Sequence, residues 1–105
     1  MLRIYDKILE VLRLLRPVIA QIEKHDRELG NQLRRASSSV ALNMAEASGS
    51  SGGTRSLRYR TALGSAREVG ACLDVAVAMG YVDGLDEALL GQLDEVRAVL
   101  ARVVR

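Results

Sequence analysis

The chain has 105 residues, 49% of them apolar and 27% charged, with one Cys, one His, no Trp or Phe, and a net charge of +2. That length suits one domain around one core; one thiol excludes an internal disulfide framework, and one Cys with one His cannot form a zinc site from those ligands alone. No membrane span is expected, because the longest apolar stretch, Ile8 to Ile22, is interrupted by Glu10, Arg13, Arg16 and Pro17.

A secretory leader is not expected either, since Met1-Leu2-Arg3 runs into Asp6 and Lys7 without a small-residue cleavage site. A reducing, cytoplasmic setting is the resulting expectation. In the first segment, about residues 3–24, Ile4, Ile8, Val11, Leu15, Val18 and Ile22 step by three or four, the spacing of a helix seam. Leu12 and Ile19 widen it. Pro17 removes a backbone donor and crowds the Arg13 carbonyl, so a kink or break is expected there. A turn follows at Lys24–Arg27, with Asp26 as N-cap of the next helix.

The second helix is expected over about 27–47, on Leu29, Leu33, Ala36, Val40, Met44 and Ala47. Ser37-Ser38-Ser39 in its middle are poor helix formers that need tertiary packing to hold them. Residues 48–53, a Ser/Gly run, read as a flexible loop ended by Thr54 as the third N-cap. The third helix should span 55–79 and close on Gly80 in the left-handed position. On it Ala62, Ala66 and Gly70 are followed on nearly the same face by Leu73 and Val77, and Gly70 reads as a point of close helix approach. The fourth, about 85–104, follows the Asp83-Gly84-Leu85-Asp86 turn with the stripe Leu85, Leu89, Leu93, Val96, Leu100 and Val103. Acidic Asp86 and Glu87 begin it, and Arg102 and Arg105 end it, as the helix dipole favours. Four helices with short links predict an all-α, antiparallel up-down-up-down four-helix bundle as a single domain over 1–105.

Catalytic sets are hard to assemble from this inventory. His25 lies in a polar turn away from Ser37–Ser39, so a Ser-His-Asp arrangement is not supported. No Glu precedes His25 by three residues, which excludes the di-iron bundle pattern. Gly52-Gly53-Thr54-Arg55 lacks the lysine and strand of a P-loop. Cys72, beside Leu73, reads as a small core or interface residue. No enzyme, cofactor or metal is expected.

What remains is polar and basic. Thirteen of the 15 cationic residues are Arg, a bias that bidentate phosphate or carboxylate contacts would explain and that GC-rich coding would also produce. The charge is uneven: residues 31–70 hold six basic and two acidic groups, whereas 71–105 hold three and six. The basic six are Arg34, Arg35, Arg55, Arg58, Arg60 and Arg67, candidates for nucleic-acid contact. A polar set beside the apolar seam, Gln32, Ser39, Asn43 and Glu46 on the second helix with Ser65 and Glu68 on the third, is a candidate inter-helix network. In that network Arg34 and Arg35 would pair with Glu46 and Glu68 and fix helix register; the alternative is that the same arginines bind phosphate.

Gln32-Leu33-Arg34-Arg35-Ala36, Ser39-Val40, Asn43-Met44-Ala45-Glu46 and Ala62-Leu63-Gly64-Ser65 with Glu68 together resemble the signature of a bacterial family. These are the four-helix bundle proteins encoded by intervening sequences of 23S rRNA genes. The chain departs from that pattern at Ala47, where a glycine is usual, in the Ser/Gly run 48–53, and at Arg58-Tyr59, where Phe-Leu is common. The resemblance implies an antiparallel bundle assembling as a ring, typically a homopentamer, with no known enzymatic activity. More distantly, related bundles serve diversity-generating retroelements, where a basic ring engages reverse transcriptase and nucleic acid.

Two functions are therefore expected: a ring-forming protein that binds RNA, DNA or a ribonucleoprotein through its arginines, or an assembly module that recruits a protein partner. Surplus apolar residues beyond the seams, Leu12, Ile19, Leu42, Leu63, Leu90 and Val104, give oligomerisation an independent motive.

Overall fold

The computed structural model describes residues 3–104; the expectations placed on Met1, Leu2 and Arg105 lie outside them. Four helices follow one another: α1 (Ile4–Glu23), α2 (Arg27–Ser48), α3 (Gly52–Ala78) and α4 (Glu87–Val103), with no strand among the described residues. α1 packs on α2 and α4, and α3 packs on α2 and α4, so the helices close a four-membered circuit, with the α2/α3 contact the most extensive. All four contribute to one apolar cluster, with Ile8, Leu15 and Ile22 from α1, Leu33 from α2, Val69 and Leu73 from α3, and Leu89, Val96 and Leu100 from α4 almost fully buried.

The seams explain these elements, with corrections at particular positions. On α1 the buried set is Ile8, Val11, Leu15, Ile19 and Ile22, so Ile19 takes the place expected for Val18, which is half-buried. At 100° per residue Ile19 and Val18 lie about equally far from the centre of the Ile8, Val11, Leu15 and Ile22 stripe, on opposite sides of it. α1 also runs unbroken through Pro17. The proline is exposed, and water can satisfy the Arg13 carbonyl on that face, so the lost bond does not interrupt the helix.

Asp26 caps α2 as expected, accepting from the Leu29 N–H at 3.0 Å. The six-residue loop and the Thr54 cap do not form: only Gly49-Ser50-Ser51 link α2 to α3, and Gly52, Gly53 and Thr54 belong to the first turn of α3. Glycine lowers helix propensity in the interior, but Gly52 enters at φ +58°, a left-handed value that glycine adopts without steric cost. At the other end, Gly80 has φ +75°, the Gly80 N–H bonds the Val77 carbonyl (3.0 Å) and the Tyr81 N–H bonds the Ala76 carbonyl (2.9 Å). That is the Schellman closure the glycine predicted. Val77, expected on the core face, is exposed because it lies in this last turn, and Val103 is exposed at the end of α4. Asp86 caps α4 through the Ala88 N–H at 2.8 Å.

Gly70 has a different cause from the one expected. A Cβ there would lie 2.5 Å from the Arg97 guanidinium of α4, and no backbone of another helix comes within 4 Å among the nearest atoms. The glycine makes room for a side chain laid across α3. Gly30 does the same for Glu23 at the α1/α2 crossing.

Candidate functional site

The polar seam lies between α2 and α3. Ser39 Oγ and Ser65 Oγ are 2.7 Å apart, across the two helices. Asn43 Nδ2 donates back to the Ser39 carbonyl (2.9 Å) and hydroxyl (3.1 Å), while Asn43 Oδ1 accepts from Arg58 at 3.4 Å. Arg58 in turn forms an ion pair with Glu46 at 2.8 Å. Gln32 reaches Glu68 at 3.4 Å, two turns along. Glu46, Arg58, Asn43, Ser39 and Ser65 thus form one continuous hydrogen-bonded chain, with Gln32 and Glu68 as a separate link. Numbers rise along α2 as those of their α3 partners fall. Arg58, which departs from the family pattern, stays half-exposed by joining this chain, and the neighbouring Tyr59 packs against the core.

The remaining arginines do not gather on one face. Arg34 pairs with neither Glu46 nor Glu68; it grips Glu23 of α1 with both terminal nitrogens, at 2.9 and 3.2 Å, and also reaches Asn31. The guanidinium beside Glu23 holds that carboxyl below the usual glutamate range, although partial burial opposes the shift. Arg55 donates to the Ala47 carbonyl at 3.2 Å, serving the end of α2. Arg35, Arg60 and Arg67 are exposed and form no ion pair with any described residue. At about 100° per residue, Arg35 points away from the bundle on α2, and Arg60 and Arg67, seven apart, share a line on α3 toward α4.

Sequence reasoning missed Glu23, the partner of Arg34. The signal was available: a link of only three residues, 24–26, brings positions a few places on either side of it together. It also missed a cluster at one end of the bundle. Tyr81 donates to Asp26 at 3.3 Å, tying the α3–α4 link to the α2 cap, and the His25 ring stacks on Tyr81 at 5.4 Å with 8° between planes. Burial first, then the Asp26 carboxylate, push the Tyr81 phenol up. Cys72 is buried, and burial with the Glu68 charge pushes its thiol up as well, which opposes nucleophilic use. Among the described residues no group of three His, Cys, Asp or Glu could hold a metal ion, and no helix is long and apolar enough to cross a membrane.

Of the surplus apolar residues, Ile19 and Leu63 are buried in the protomer, and Leu12 and Val104 are half-buried against its core. Leu42 and Leu90 remain exposed. A larger apolar face lies elsewhere, along the outside of α3. Leu57, Gly64, Ala71, Val75 and Met79 follow at steps of seven, seven, four and four, and all are exposed, Leu57 by 58%, Val75 by 47% and Met79 by 61%. Thr61 and Glu68 fill the intervening turns. α3 therefore carries an exposed apolar line on the side turned away from the core, interrupted by Thr61 and Glu68 and bordered by Arg60 and Arg67.

The chain matches the family described as 23S rRNA-intervening sequence protein over residues 1–102. It is also similar to a crystal structure from Bacteroides thetaiotaomicron, a protein of unknown function from the S23 ribosomal protein family. The TM-score is 0.80 at 18% identity, over 98% of this chain and 99% of that one. No curated protein matches. The two folds agree end to end at an identity too low to carry more than fold. The family match covers nearly the whole length, and this chain belongs to the 23S rRNA-intervening sequence protein family.

Proposed function

We propose that this protein is a non-enzymatic, cytoplasmic assembly module, an antiparallel up-down-up-down bundle whose copies associate into a closed ring, with a homopentamer favoured. The antiparallel course is supported by the opposed numbering across the α2/α3 seam and by links of three residues between α1 and α2 and between α2 and α3. The observation that carries self-association is the outer face of α3. Monomeric soluble proteins rarely expose large contiguous apolar patches, and an exposed line of large apolar side chains on one helix is usually covered by a partner surface. A contact between unlike faces closes into a ring when its rotation allows, and the family resemblance favours five copies. A single His engaged in stacking and a Cys whose thiol is pushed up support a role without catalysis.

Light scattering of the purified protein tests this. An assembly several times the 11.4 kDa protomer is expected, falling to the protomer mass in Val75→Gln/Met79→Gln with helix content unchanged. A wild-type monomer at micromolar concentration refutes the proposal.

A second reading, binding of RNA, DNA or a ribonucleoprotein, is favoured by Arg35, Arg60 and Arg67, which are exposed and free of ion pairs with described residues. Such binding must weaken steeply with salt. Absence of binding at low ionic strength, or no loss in Arg60→Glu/Arg67→Glu, refutes it.

A further inference from the structure

Between α1 and α2 lies a surface groove of about 330 Å³, within the size range of apolar ligand sites. Its apolar wall is Leu9, Leu12 and Ile19 of α1, which lie on the side of that helix turned toward α2. The opposite wall is low because α2 presents Ser37 and Ser38 there, and Ser37 spends its hydroxyl on the Arg34 carbonyl at 3.0 Å. A sequence of serines that is poor for helix formation is thus placed where it keeps a groove open.

The rim is cationic. Arg13, Arg16 and Arg34 line the groove and no carboxylate does. Arg13 and Arg34 are held by Glu10 and Glu23, both outside the lining, and Arg16 forms no ion pair with any described residue. One turn beyond Leu9 a second depression, of about 400 Å³, continues the seam at the end of the bundle. It is lined by Arg3, Tyr5 and Met44 among others, again without a carboxylate. The stretch from Tyr5 to Ile19 is roughly 21 Å long at 1.5 Å per residue, the length of a four-turn helix.

We propose that the α1/α2 furrow docks an acidic amphipathic helix of a partner protein. Its apolar side chains seat on the half-buried Leu9 and Leu12, with Ile19 buried beneath, and its carboxylates meet Arg13, Arg16 and Arg34. Helix-in-groove binding requires this combination of an apolar floor and a complementary rim. A phosphate backbone matches the rim alone and would have to give up hydration of its charged oxygens to lie against Leu9 and Leu12. A second copy fits less well, because the acidic α4 already commits Glu95 to Lys7 and Asp94 to Arg97.

The probe is a fluorescent helical peptide with leucines at i, i+3, i+4 and i+7 flanked by glutamates, read by anisotropy against the full chain. Saturable binding is expected, weakened about tenfold or more by Arg16→Glu, which removes an exposed unpaired cation, and by Ser38→Trp, which fills the groove from an exposed position. Val75→Gln/Met79→Gln should leave it unchanged, so the furrow and the assembly face fail separately. The proposal is overturned by no saturable binding, by equal binding of the peptide with lysines for glutamates, by insensitivity to both furrow variants, or by displacement by a single-stranded RNA at comparable concentration. A change of assembly mass in Arg16→Glu overturns it in favour of a second copy as occupant.

Discussion

Gly70→Ala should stabilise the protein, against the usual expectation for a buried glycine in contact with another helix. In a helix interior alanine is favoured over glycine by about 1 kcal/mol. The opposing cost comes from Arg97, whose Nη1 would lie 2.5 Å from the new Cβ while its Cζ lies at 3.6 Å. Only the tip of a flexible side chain must move. Moving it gives up the Arg97–Asp94 pair, which joins residues three apart on α4 with Asp94 largely exposed, and such pairs contribute roughly 0.3–0.5 kcal/mol. The balance is a gain of about 0.5 kcal/mol, or a rise in Tm of roughly 2–4 °C for a domain of this size. Urea and thermal unfolding at one fixed protein concentration measure it, since the proposed assembly would make Tm concentration-dependent. Destabilisation by Gly70→Ala in wild type but not in Arg97→Ala would mean that the guanidinium is held rigidly. Destabilisation in both would refute the reasoning and restore close helix approach as the cause of the glycine.

Pro17→Ala should stabilise α1 by about 1–3 kcal/mol, because the helix is already continuous and gains a bond to the Arg13 carbonyl; an unchanged urea midpoint would show that the carbonyl is equally well served in the native chain. Ser39→Ala and Ser65→Ala should each cost about 0.5–1.5 kcal/mol, and the double variant less than the two together by at least about 0.5 kcal/mol, since Ser39→Ala strands the Ser65 hydroxyl whereas Ser65→Ala leaves Ser39 its Asn43 contact. Additive costs would mean that the two hydroxyls are satisfied independently. Glu23, held below its ordinary range by Arg34, contributes stability that is fully present above the unfolded glutamate range and is lost as pH falls through the depressed folded value. Glu23→Gln should flatten that acid limb in unfolding midpoints measured across pH, and an unaltered limb would count against the pairing.

What was legible was decided within single helices. Leu15, Leu33, Leu73 and Leu100 announce their burial by periodicity alone, and Asp26 and Gly80 mark helix ends through local backbone chemistry. Errors came where a local rule met another helix or a helix end. Gly52 and Gly53 read as loop, yet in a first turn their N–H groups have no intrahelical partner to lose. Arg34 and Arg35 read as equivalent, yet one residue turns the helix by about 100°, so Arg34 meets Glu23 of α1 while Arg35 faces away. The pairing of Arg34 with α1 depends on the turn geometry, and the pairing of Arg58 with Glu46 depends on the register that Ser39 and Ser65 set.

The same rotation divides the positive charge of residues 31–70 among several faces, and this constrains any binding of nucleic acid. One protomer offers Arg60 and Arg67 as adjacent free cations, enough for about two phosphate contacts and a salt slope near −1.8 for a duplex. A ring repeats that pair once per copy around its circumference, so that a strand following it gains contacts in proportion to the copies it passes. Binding should therefore depend on assembly. The slope of log affinity against log salt should be several times steeper for the wild type than for Val75→Gln/Met79→Gln, a change that leaves the protomer charge untouched. Equal slopes in filter-binding titrations would place the contacts within one protomer and remove the link between assembly and nucleic acid.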